Sequence, residues 1–255
     1  MVGARKSKDW LRRMILIAMF GALSYVVMLT INFRVSFLTM DVKDVVIALA
    51  GLYIGPSAAI VLSLFVPFLE MITMSETGLY GFAMNAIGTA AFAVTVSVIY
   101  KYKKNLLGAV IGLVSGAVLM VAVMMGFNVL VTPFYLHSLG STLEQARQTV
   151  FAMLPTVLLP FNVIKGALNV GLLLLLYKPM SRVIQRVGIL PRSESGYRMD
   201  WRTALTLIAA VVLITGALVY LFVALDGVFE WGWLIQTCVN AFQKICSFFE
   251  GLFHA

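Results

Sequence analysis

The chain is written as a succession of long apolar runs, and no other feature restricts its fold as tightly. The runs cover Leu11–Ile31, Ser57–Met74, Phe82–Tyr100, Leu106–Val131, Thr149–Tyr177 and Thr203–Leu225. About 20 apolar residues in a helix cross a hydrocarbon core of roughly 30 Å. In lipid every backbone polar group needs an internal partner, which a helix supplies. The runs are too long and continuous for barrel strands. The sequence therefore predicts an all-α integral membrane protein. Composition agrees: 61% of the 255 residues are hydrophobic and 12% charged, against about 45–50% and about 25% in soluble domains. Mean hydropathy is +0.98.

One further element is short. A helix from about Asp44 ends at Gly55-Pro56, where glycine and proline punctuate the chain. At about 11 residues it reaches only roughly 17 Å and cannot cross straight. Asn32–Lys43 before it reads as a polar, irregular loop. Pro155 and Pro160 fall inside the sixth span. The first run lacks a cleavage site of small residues and reads as a retained span.

The net charge is +8, and the basic residues sit between apolar runs. That placement is a topology signal rather than a nucleic-acid footprint. The N-terminus carries Arg5, Lys6, Lys8, Arg12 and Arg13. Lys101, Lys103 and Lys104 follow the fourth span. Lys178, Arg182, Arg186, Arg192, Arg198 and Arg202 follow the sixth. Alternate connections thus carry most of the positive charge, which places that face and the N-terminus in the cytoplasm of a multi-pass cell-membrane protein.

The tail differs. Trp231, Ile235, Cys238, Phe242, Ile245, Phe249 and Leu252 recur at spacings of three and four, with Gln236, Asn240, Gln243, Ser247 and Glu250 opposite. This is an amphipathic helix, lying either in the membrane interface or against the spans. Cys238 and Cys246 stand about 12 Å apart along it, too far for a disulfide.

Four polar places stand out. Asn162, Lys165 and Asn169 share one side of the sixth span. Ionisable groups inside spans face a cavity or a partner, and two readings stay open for Lys165: a ligand contact, or a pair with a carboxylate such as Glu70. Asn128 lies near the outward end of the fifth span and reads equally as a helix–helix hydrogen bond. Leu38–Asp44 offers Asp41, Lys43 and Asp44 as a cap or solvated loop, and Thr39 and Met40 as pocket lining. Ser75–Gly78 reads as a turn first and a pocket lid second. In the first span Ala18, Gly21 and Ala22 form a small-residue cluster that lets another helix approach closely.

No phosphate-binding glycine motif is present, so this chain is not expected to hydrolyse ATP. His137 and His254 are isolated, without metal-ligand spacing. Neither an enzymatic activity nor a resident cofactor is expected.

LTMDVKDVVIALAGLYIGPSAA (38–59), SETGLYGFAMN (75–85) and PFNVIKG (160–166) together resemble the S component, the substrate-binding subunit, of energy-coupling factor (ECF) transporters, most closely the riboflavin-binding type. The resemblance covers about residues 10–188. It implies a six-helix S-component bundle over 11–188 that captures a vitamin from outside. It implies a T subunit and two cytosolic ATPases as partners. Ala18, Gly21 and Ala22 map to its docking surface; Thr39, Met40, Asn128, Asn162 and Lys165 map to the flavin site. Around that bundle we expect a cytoplasmic N-terminus (1–10), a basic linker (189–202), a seventh transmembrane helix (203–225) and the amphipathic tail (226–255) on the outer side. The last three have no counterpart in the six-helix form.

A flavin suits those residues: apolar ring faces want apolar walls, and the polar edge wants a few placed donors and acceptors. A phosphorylated flavin would give Lys165 a charge directly. Alternatives are another vitamin or a modified nucleobase and, from another class, a membrane enzyme or assembly factor using Lys165 and Glu70 as a proton-transfer pair.

Overall fold

The computed structural model describes residues 2–35, 38–75, 77–186 and 201–224. Helix α1 covers Val2–Thr30. Strands β1 (Asn32–Val35) and β2 (Leu38–Asp41) follow, then α2 (Lys43–Ile54), α3 (Pro56–Thr73), α4 (Gly78–Tyr102) and α5 (Leu106–Ser138). After α6 (Leu143–Met153) a π-helical turn, Leu154–Leu158, runs directly into α7 (Leu159–Arg186), and α8 covers Trp201–Ala224. Among the described residues five helical stretches are long and apolar enough to cross a membrane: Trp10–Thr30, Pro56–Thr73, Gly78–Tyr102, Leu106–Ser138 and Leu143–Tyr177. The fold is the expected all-α membrane bundle. Of the linker predicted over 189–202, residues 189–200 lie outside the described residues and the last two open α8; the tail predicted over 226–255 lies outside them entirely.

Helix α2 is the centre. All residues from Lys43 to Leu52 are buried, and from Val45 to Leu52 the helix is apolar on every side, as one enclosed by others must be. Val45, Ile47, Leu49 and Leu52 pack in one core with Leu62 of α3, Phe92 and Val96 of α4, Leu113 and Met120 of α5, and Leu173 of α7. The outer faces are apolar too: Ile60, Leu64 and Phe68 on α3 and Val114 and Val118 on α5 are exposed. Apolar residues on both the inside and the outside are what lipid as solvent demands.

Glycines set the closest helix approach. Gly108, Gly112 and Gly116 lie four apart on α5 and are all buried. A Cβ on Gly116 would stand 3.0 Å from Phe92 O and 2.9 Å from Val96 Cγ2. At Gly112 it would meet Val96 O at 3.1 Å. The small residues let α4 and α5 pack backbone to backbone.

Several expectations need correction. Asn32–Lys43 is not irregular: it is largely an antiparallel hairpin pairing Asn32 with Asp41 and Val35 with Leu38, which satisfies the backbone groups that an open loop would leave bare. Helix α4 begins at Gly78 rather than Phe82, and α5 continues seven residues past Val131, through Pro133. The sixth span begins at Leu143 because Thr142 and Gln145 form a reciprocal capping box. Pro155 lies in a π turn, where Leu159 N–H reaches back to Leu154 O, and Pro160 follows just past it. Proline removes the donor that an α-helical ladder needs, and π bulges absorb such breaks.

Candidate functional site

At the hairpin end of the bundle a solvent-open cleft lies between β2, α4, α5 and α7. Asn162 and Lys165 enter it from α7, one turn apart, just beyond the π turn. Asn128 and Thr132 enter from α5, and Thr39 from β2. Apolar and aromatic walls come from Leu38, Met84, Met124, Val131 and Phe161, with Tyr80 and Tyr135 edge to face at 6.0 Å. A smaller cavity of about 210 Å³ continues past Asn162 and Lys165 to Gly88, Thr89 and Asp44.

Each asparagine spends one donor on its own helix. Asn162 Nδ2 donates to Leu158 O and Asn128 Nδ2 to Met124 O, both at 2.8 Å. Thr132 Oγ1 donates to Asn128 Oδ1 at 3.0 Å, fixing that amide's orientation. A primary amide has four hydrogen-bonding positions, so both keep capacity for a ligand edge.

Lys165 belongs to a buried ionic network behind the cleft. Its Nζ donates to Asp41 Oδ2 at 3.2 Å and lies 3.6 Å from Asp44 Oδ2. Asp41 also accepts from Lys43 Nζ at 2.6 Å, and Lys43 lies 3.1 Å from Glu70 Oε2. Neutral groups complete the shell: Thr89 Oγ1 and Asn169 Nδ2 donate to Asp44, and Asn85 Nδ2 donates to Glu70 Oε1. Buried charges are tolerable only when paired and hydrogen-bonded like this. Burial alone would raise the Asp41 carboxyl, but the ammonium groups of Lys165 and Lys43 outweigh it and hold the carboxyl well below the usual carboxylate range. The network ties the hairpin to α2, α3, α4 and α7.

Thr39, Asn128, Asn162 and Lys165 therefore converge on one cleft. Met40 does not join them. The pleat turns it the other way from Thr39, into a small core with Phe161, Ile164 and Ala217. The partner expected for Lys165 is also corrected: Glu70 is held by Lys43 and Asn85, while Lys165 is held by Asp41 and Asp44. This removes the proposed Lys165–Glu70 proton-transfer pair. On α1, Ala18 and Ala22 are exposed, whereas Gly21 is buried. A Cβ there would sit 3.0 Å from Leu62 Cδ2, so Gly21 serves packing against α3. Thr77, within the stretch read as a turn or lid, joins the lining; sequence reasoning missed Tyr80, Met84, Asn85, Met124 and Tyr135. Thr132, one turn after Asn128, carried a readable signal.

Such a bundle, with a polar-edged cleft at one end and apolar flanks, is a polytopic membrane protein built to hold a small molecule. Residues 12–177 match the family described as ECF transporter, substrate-specific component, and the chain belongs to that family. Riboflavin transporter RibU of Staphylococcus aureus (strain TCH60) is 27% identical over 179 residues, covering 69% of this chain and 94% of the relative. The solved S component of a bacterial ECF transporter superposes with a TM-score of 0.56 at 27% identity, covering 69% of this chain and 98% of that one. The protein is thus a multi-pass transport component of the cell membrane rather than an enzyme.

Proposed function

We propose that this protein captures riboflavin from outside the cell and delivers it through an ECF transporter, whose T subunit and two cytosolic ATPases supply the energy. The observation that carries this reading is the convergence of Thr39, Asn128, Asn162 and Lys165 on one largely apolar cleft, in a chain similar to a riboflavin transporter. Apolar and aromatic walls suit the faces of a tricyclic ring. The two amides and the ammonium suit its polar edge, and the threonine hydroxyls suit a ribityl chain. The charge balance favours the uncharged vitamin over its phosphate: Lys165 already faces two carboxylates, so no anionic ligand is needed to neutralise it. With the basic connections in the cytoplasm, the cleft opens outward.

The test is a fluorescence titration of purified, folded protein with riboflavin, flavin mononucleotide, and a panel of other vitamins and nucleobases. Quenching with a Kd below about 1 µM for riboflavin, and weaker binding of the phosphate, is expected. Preference for another member of the panel would overturn the riboflavin reading.

A further inference from the structure

The opposite end of the bundle carries a second cavity that vitamin capture does not use. It measures about 840 Å³ and lies between the start of α1, the α2–α3 junction and the end of α4. From Asn85, at the vitamin cleft, to Lys101 is about 24 Å along α4, so the two spaces sit at opposite ends of that helix. Three cations line the second cavity: Arg13, Lys101 and Lys104. Among the described residues no carboxylate pairs with any of them.

Arg13 is preorganised. Its Nη2 donates to Ser57 Oγ at 2.6 Å and to Ile54 O at 3.3 Å. This guanidinium closes the C-terminal end of α2, where its charge suits the helix dipole, and it stands beside the N-terminus of the 18-residue α3. The back wall is equally fixed. A Cβ on Gly51 would fall on Ser97 Oγ, so α2 and α4 pack too closely to give way. Tyr100, also lining the cavity, shares a 2.8 Å hydrogen bond with Tyr177.

The flanks face lipid. Trp10 and Met14 beside Arg13 on α1, and Leu107 just after Lys104 on α5, are exposed apolar residues. Tryptophan and tyrosine near basic residues mark the level of the head groups. A concave site with three cations, no acid among the described residues that line it and lipid-facing sides at that level fits an anionic phosphodiester reached from the bilayer.

We propose that this cavity binds a phosphate ester of net negative charge, and that its source is the head group of an anionic phospholipid in the leaflet at the basic end. Arg13 receives the phosphate, and Lys101 and Lys104 close over it. Only the assignment to the inner leaflet rests on the orientation proposed above; the chemistry of the site does not.

Native mass spectrometry of the full chain in detergent tests it, with phosphatidylglycerol, phosphatidylcholine and inorganic phosphate as separate probes. The wild-type protein should retain phosphatidylglycerol in preference to phosphatidylcholine. The Lys101→Gln/Lys104→Gln variant should lose that retention by about tenfold or more, with riboflavin titration unchanged from wild type. Both lysines are exposed, so the variant folds. Equal retention of the two lipids, or undiminished retention of phosphatidylglycerol by the variant, overturns the proposal. Binding of inorganic phosphate without retention of phosphatidylglycerol overturns the lipid source. If the variant keeps phosphatidylglycerol but no longer copurifies with transporter subunits, the lysines serve a protein partner and the proposal also fails. A wild-type protein that retains phosphatidylglycerol but not riboflavin sinks the vitamin reading alone.

Discussion

Lys165 serves two carboxylates with one ammonium group, while 11% of its side chain remains accessible. Replacing it removes a donor from the cleft and a countercharge from Asp41 and Asp44 together. Lys165→Ala should weaken riboflavin binding by at least about 1.4 kcal/mol, a factor of ten. It should also lower the melting temperature of the ligand-free protein, because removing one partner strands a buried charge, at about 3–5 kcal/mol. Asn162→Ala separates the two effects. Asn162 reaches the cleft but bonds only within its own helix, so affinity should fall while the melting temperature moves less than in Lys165→Ala. Equal thermal losses would show that Asn162 is as structural as the lysine. Within the network the carboxylates are not equivalent. Asp41 accepts from both lysines, whereas Glu70 faces Lys43 alone. Three carboxylates face two ammonium groups, so Glu70→Gln leaves charges balanced and keeps an acceptor for Asn85. Thermal unfolding should show Asp41→Asn as the more damaging change, and the reverse order would contradict this account of the network. Asn162 and Lys165 were legible in the sequence because polar groups in an apolar run stand out against their medium. Their partners were not. Asp41 is 124 positions from Lys165, and three acids compete for two lysines, so only packing decides the pairing.

At the scale of the element, the bundle is held by approach distance as much as by hydrophobicity, since in lipid apolar burial drives helices together only weakly. The contact that Gly112 and Gly116 make with α4 therefore has little room to absorb volume. Gly116→Ala places a methyl against the Phe92 carbonyl and Val96, where one side of the clash is backbone. The expected cost is about 1–3 kcal/mol from overpacking, read as a lower melting temperature. Gly126→Ala, with open space around it, is the matched control and should be neutral or slightly stabilising through helix propensity. Comparable losses in both variants would remove close packing as the cause. The helices themselves were legible from length and apolarity. Elements set by local hydrogen bonding were harder. The β1–β2 hairpin is only four residues a side, too short for alternation to register. The π turn depends on how one ladder accommodates Pro155 and Pro160, which the prolines announce without specifying. Thr142-x-x-Gln145 was a readable start signal for α6, and it places that helix six residues earlier than apolarity alone suggests.

The whole molecule raises the question of what α8 adds to a fold whose family match ends at residue 177. Among the described residues, none of α8 lines the cleft at the hairpin end. Helix α8 nevertheless packs closely on α7: a Cβ on Gly171 would meet Ile214 Cγ1 at 2.7 Å and Ala210 O at 3.1 Å. Ala217 closes the small core around Met40, on the opposite side of β2 from Thr39. Helix α8 therefore supports the elements that carry Thr39 and Lys165 without supplying a ligand contact. A chain ending after Gly188 loses that support and exposes the Gly171 face of α7 to lipid. Its melting temperature should drop by several degrees, since about 1 kcal/mol moves a domain of this size by roughly 2–4 °C. Riboflavin affinity should stay within about threefold of the full chain, because less than about 1 kcal/mol separates such affinities. Differential scanning fluorimetry with and without riboflavin measures both quantities on one sample, as a ligand bound only by the folded state restores stability in proportion to its affinity. If the shortened chain stays folded but gains no stability from riboflavin that the full chain does gain, α8 is part of the binding unit, which then extends beyond the six-helix form.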